Sequence, residues 1–337
     1  MMSNRIGIAA LAALIVSVKP VAAQHVHEHG RPVANDAAVE RQLDEVRRAT
    51  ERYRDHAAAV ADGFKLFGAE GPLMGEHWYH PDRVREPFDL ARPSTLQYAW
   101  IDGKRQLIGV AYTVYRRPGE PLPEGFEGVT DAWHVHDVGR IARALTADRP
   151  FMRWLAERRL ESGRAGGGDG RTQLTMVHAW PWLANPDGPF AQQHRTLPYL
   201  RAGLPASFAV AGDDDGAWGV SLLNNGSCTS EIRRVHALAR LSSTQRTQLS
   251  AACTEAASTV RAAFQPSVDE ATLNSAASAA WKSYTQKRDA LLTPEQLERM
   301  GVTMEHSHGN NISEAVRVGS EGWEVTGALR VRDYLPA

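Results

Sequence analysis

Residues 95–115, TLQYAWIDGKRQLIGVAYTVY, hold two runs rich in aromatic and β-branched residues on either side of Asp102-Gly103-Lys104. An Asp-Gly pair between such runs supplies the positive φ angles of a tight turn, so the stretch predicts a β-hairpin. Working outward, WHVHDV (133–138) and LTMVHAW (174–180) alternate in the same way. They predict further strands of one small antiparallel sheet.

On the N-terminal side the period becomes helical. Val39, Leu43, Val46, Ala49, Tyr53, Ala57 and Val60 recur on one face and predict a long helix over 35–67, ended by Gly68 and Gly71-Pro72. On the C-terminal side, Ala-, Ser- and Gln-rich segments at 229–241, 243–264 and 268–292 predict antiparallel helices. Thr293-Pro294-Glu295-Gln296 opens another. A short helix is expected over 150–162, an N-cap at Asp187 for a helix carrying His194, and a strand over 322–334. Asp213-Asp214-Asp215-Gly216 reads as a hairpin turn between 207–211 and 218–222. Strands and helices are segregated rather than alternating, so the fold class is α+β, with a long N-terminal helix, a small antiparallel sheet over roughly residues 90–185 and a C-terminal helical region. The chain divides into an α+β domain (35–203), a mainly helical region (204–303) and a tail (304–337).

The first 23 residues read as a cleavable signal peptide. Arg5 gives a positive start, residues 6–18 form an uncharged apolar run, and Val21-Ala22-Ala23 provides a small-residue cleavage site. Residues 24–34, QHVHEHGRPVA, form a histidine-rich polar stretch. Export places the chain in the periplasm or outside the cell, with no membrane attachment after cleavage. Cleavage removes Arg5 and Lys19 and takes the net charge from −1 to −3, which offers no basic field for nucleic acid. Cys228 and Cys253, the only cysteines, read as a disulfide in that compartment.

The chemical signal lies in clustered histidines. On a strand, His134 and His136 project to one face, so both imidazoles reach one ion. His178, on a second strand, is the third candidate ligand, and three histidines leave a position open for water. Gly75-Glu76-His77-Trp78-Tyr79-His80-Pro81 forms a second cluster. Pro81 disfavours helix at His80, so this segment is expected to be a loop or turn presenting His77 and His80 as ligands. Glu76 and Asp137 are the candidate proton acceptors. The lone histidines His56, His194 and His236 read as packed, hydrogen-bonded residues. The terminal pairs, such as His306 and His308, read as loose metal scavengers.

Gly128, followed after five residues by His134-x-His136, resembles the cupin pattern over nine residues. Asp137-Val138-Gly139-Arg140 stands where the cupin glutamate would follow, and the long helices do not suit that barrel. The resemblance carries no residue assignment. No Gly-x-Ser-x-Gly elbow, nucleotide-binding glycine loop, His-Glu-x-x-His or haem-attachment motif is present. The sequence therefore predicts an exported protein with a histidine site for a divalent metal, zinc ahead of copper. As an enzyme it would be a metal-dependent hydrolase or lyase. The alternative is a non-enzymatic binding or metal-handling protein, with Trp133, Trp180 and Trp182 filling the core or lining a pocket for a small-molecule ligand.

Overall fold

The computed structural model describes residues 37–116, 120–127, 133–136, 150–161, 173–224, 226–304, 317–319 and 322–324. Residues 1–23, expected to be a signal peptide, residues 24–34, Asp137, His306 and His308 lie outside the described residues.

The fold is α+β. Six strands, β1 (Lys65–Gly71), β2 (Gly75–Tyr79), β3 (Thr95–Ile101), β4 (Lys104–Arg116), β5 (His134–His136) and β6 (Gln173–Ala179), form an antiparallel sheet in the order β1-β2-β3-β4-β6-β5. The β3–β4 hairpin turns at Asp102 (φ 50°) and Gly103 (φ 70°), the two positive angles its sequence predicts.

The N-terminal helical region is shorter and more broken than the apolar repeat suggests. It comprises α1 (Ala37–Thr50), a 3-10 turn (Glu51–Arg54) and α2 (His56–Ala61). Asp55 is extended, and its carboxylate accepts the Ala57 N–H at 3.0 Å, capping α2 as a new start. Gly63, at φ 100°, then leads into β1, so residues 65–67 belong to a strand rather than to the helix. The segment around His77 also differs from expectation: Gly75–Tyr79 is β2, paired with both β1 and β3, and not a loop.

Alternation gives the sheet two unlike faces. One carries Leu96, Tyr98, Val110, Tyr112, Val177 and Ala179, which share a buried cluster with Val39, Leu43 and Val46 of α1. The other carries His77, Gln97, Gly109 and His178. At one end this second face packs Ala99, Ile101, Ile108 and Trp180 against Leu197 of α4 (Thr196–Arg201). The short helix α3 spans Pro150–Glu161.

A second core lies among α5 (Asp214–Ser221), α6 (Ser227–Ala239), α7 (Ser243–Ala263), α8 (Glu270–Leu291) and α9 (Pro294–Met304). Leu73, in the β1–β2 turn, and Tyr199 of α4 join it. Ser242 and Gln245 form a reciprocal capping box at the start of α7. The triple aspartate starts a helix instead of turning a hairpin: the Asp213 carboxylate accepts the Gly216 N–H at 2.8 Å. Asp187 does not cap α4; it pairs with buried Arg195, which also reaches Asp214 at 2.8 Å. Cys228 of α6 and Cys253 of α7 form a disulfide. A small two-stranded sheet pairs β7 (Arg317–Gly319) with β8 (Gly322–Glu324). Among the described residues no helix is long and apolar enough to cross a membrane.

Candidate functional site

Strand β2 separates the residues that the sequence clusters. Glu76 and Trp78 face the α1 side of the sheet, and His77 faces the other. On its side, Glu76 is enclosed by donors. Trp78 Nε1 donates to it at 2.9 Å, Trp100 Nε1 at 3.2 Å and Arg105 Nη2 at 3.2 Å, while Arg105 Nε lies 2.8 Å away. The same guanidinium stacks over Trp78 and Trp100, and the His56 ring meets Trp78 edge-on. Burial and the nearby Arg105 hold His56 below its ordinary pKa. Glu76 is therefore the centre of a structural cluster, with the sheet between it and His77.

His80 is also separate from His77. Its Nε2 lies 3.0 Å from the Asp62 carbonyl and its Nδ1 accepts the Asp82 N–H at 3.3 Å. One ring nitrogen serves the backbone at the end of α2 and the other the backbone just after β2. His194 behaves likewise: Nε2 lies 3.2 Å from the Leu183 carbonyl and Nδ1 2.7 Å from the Thr196 hydroxyl. Its burial pushes its pKa down to about 4.

The remaining histidines lie in a row across the second face. His77 on β2 pairs with Gln97 on β3, Gln97 with Gly109 on β4, His178 on β6 with Ala111 on β4, and His134 on β5 with Met176 on β6. Directly opposed residues share a face, and so do residues two apart on a strand. Gln97 links the row: its Nε2 lies 3.1 Å from His178 Nδ1 and 3.4 Å from both His77 Nε2 and the Met74 carbonyl. A side chain at Gly109 would meet Trp180 at 2.7 Å and Gln97 Oε1 at 3.1 Å, so the glycine admits both groups above the strand.

On its far side, His178 Nε2 lies 3.2 Å from the Met176 sulfur. The half-buried His134 ring is 5.3 Å from that of His178, and His77 is 5.6 Å away on the other flank. His136 is opposite Leu174 in the backbone register, and its side chain lies outside the described set. Burial pushes His77 down to about 4, against the raising effect of a backbone hydrogen bond with Gly75. His77 is thus a neutral imidazole at physiological pH, the form that accepts from an amide.

The structure therefore brings His77, His134 and His178 onto one face and keeps Glu76 and His80 away from it. Among the described residues, no three His, Cys, Asp or Glu side chains converge to hold an ion. Sequence reasoning did not assign roles to Gln97 or Met176. The available signal for Met176 was parity: it stands two residues before His178 on the same strand. Trp133 and Trp180 are buried, and Trp182 is partly buried against the α1-side core. No protein family, characterised protein or solved structure matches this chain significantly.

Proposed function

We propose that this is an exported, non-enzymatic metal-handling protein that holds a transition-metal ion on the second face of its sheet through His134 and His178. The observation that carries this reading is the approach of His178 Nε2 to the Met176 sulfur, with the His134 ring beside them. Two imidazoles that share one ion at about 2.0 Å, with a tetrahedral angle between them, have ring centres about 5 Å apart. The 5.3 Å between His134 and His178 matches that spacing. The Cys228–Cys253 disulfide and the apolar N-terminal segment favour an oxidising, extracytoplasmic location. Glu76 is committed to Arg105 on the opposite face, which favours binding over metal-assisted hydrolysis.

The test is metal analysis of the purified chain with the terminal histidines (His25, His27, His29, His306 and His308) replaced by asparagine, so that loose capture does not contribute. About one ion per chain is expected, lost in a His134→Gln/His178→Gln variant that keeps its circular dichroism spectrum. Absence of bound metal after reconstitution, or full retention in the folded double variant, would overturn the reading.

A further inference from the structure

We infer that this site is built for copper(I), with the Met176 thioether as its third donor and Gln97 as the residue that orients His178. The inference rests on the metal-handling reading above and says which ion that site prefers. Sequence patterning alone puts zinc first, because histidine pairs are its usual ligands. The thioether reverses that order: sulfur of this kind is a soft donor that selects copper(I), whereas zinc sites draw on imidazole, thiolate and carboxylate. Glu76 is behind the sheet, paired with Arg105.

The ligand spacing is already present. Nitrogen and sulfur donors bound to one ion at about 2.0 and 2.3 Å lie about 3.5 Å apart at a tetrahedral angle. His178 Nε2 and Met176 Sδ are 3.2 Å apart. Met176 is opposite His134 in the β5–β6 register, so one strand pair carries all three donors on one face.

Gln97 explains how His178 changes from hydrogen-bond donor to ligand. With Gln97 Nε2 donating to Nδ1, the His178 proton sits on Nε2 and points at sulfur. Coordination through Nε2 moves that proton to Nδ1, with no net release, and Nδ1–H then needs an acceptor. Gln97 Oε1 is buried and has no hydrogen-bond partner among the described residues. A half-turn of the amide brings this oxygen to Nδ1, at the loss of the longer Nε2 contacts with His77 and the Met74 carbonyl. Gln97 is thus a positioning residue whose two ends match the two tautomers of His178.

The experiment uses the same asparagine-substituted chain, titrated with copper(I) under ascorbate against a chromophoric chelator, and separately with zinc against an indicator. Copper(I) should bind more tightly than zinc. Met176→Leu, which conserves volume, should weaken copper(I) by about tenfold or more and change zinc by less than about twofold. Nitrogen NMR should report the His178 proton on Nε2 without metal and on Nδ1 with copper(I), and Gln97→Leu should weaken copper(I) binding. If Met176→Leu leaves copper(I) affinity unchanged, or zinc binds the parent more tightly, the copper assignment fails while the metal-handling reading stands. If neither ion binds in a histidine-dependent way, both fail.

Discussion

Gln97 Nε2 lies 3.1 Å from His178 Nδ1, an amide from β3 bonded to an imidazole from β6 across the intervening strand β4. Both residues are fully buried. Gln97→Leu would remove the donor that His178 and His77 share and leave polar nitrogens facing an apolar side chain. The expected cost is about 1–3 kcal/mol, read as a lower urea midpoint with an unchanged m-value. A neutral result would show that the amide does not hold the row together.

Gly219 of α5 supports a second test, this one in the helical core. A Cβ there would lie 2.2 Å from the Ala277 carbonyl oxygen of α8, so the two helix backbones are in direct contact. Beside them, Trp218 and Trp281 stack with ring centres 5.2 Å apart and planes within 12°. Gly219→Ala must separate the helices, because the obstruction is backbone and cannot rotate away. A loss of about 1–3 kcal/mol is expected despite alanine's better helix propensity. Stabilisation by the substitution would contradict this packing.

How much of this was legible in the sequence depended on how local each cause is. Asp102-Gly103 announces its hairpin because the positive φ angles belong to those two residues. The restart at Asp55 was not legible, because the apolar repeat runs on through Ala57 and Val60 while the chain breaks beneath it. The steric restriction of Pro81 reaches only His80, and β2 ends just before, at Tyr79, so the proline leaves the strand free to pair. The triple aspartate reads as a turn because turns and helix N-caps draw on the same residue, and here a helix follows it. His134 and His178 stand out in the sequence because each alternates within its own strand. Their neighbours Gln97 and Met176 acquire meaning only from register between strands, which no local pattern encodes.

The Cys228–Cys253 disulfide closes a loop across a sequence separation of 25 residues and joins α6 to α7. Closing a loop of that length lowers the entropy of the unfolded chain by the equivalent of about 3.5 kcal/mol. A Cys228→Ala/Cys253→Ala variant should lose about 2–4 kcal/mol, with the loss arising mainly through the unfolded state. The comparison is made by urea unfolding of the oxidised wild type, the reduced wild type and the variant. The last two should coincide within about 1 kcal/mol, and the oxidised protein should stand above both. If reduction leaves the midpoint unchanged, the cross-link does not contribute to stability.

The buried histidines set a pH limit on the fold. His77 and His194 each fall from the ordinary 6.5 to about 4 because burial disfavours the imidazolium. Between those two values the unfolded chain binds protons that the native chain does not. Stability therefore is full above about pH 6.5 and declines as the pH falls toward about 4, by on the order of 3 kcal/mol for each histidine across the window. Urea unfolding at pH 7.5, 6 and 5, in the presence of a chelator, should show midpoints that fall with each step. A His77→Gln/His194→Gln variant should show a shallower fall, because neither glutamine gains a proton on unfolding. The glutamines also change packing at every pH, so the informative quantity is the slope and not the absolute midpoint. A midpoint that is constant from pH 7.5 to 5 in the wild type would mean that these two imidazoles do not resist protonation in the folded chain, and would undo the assignment of His77 as a neutral acceptor for Gln97.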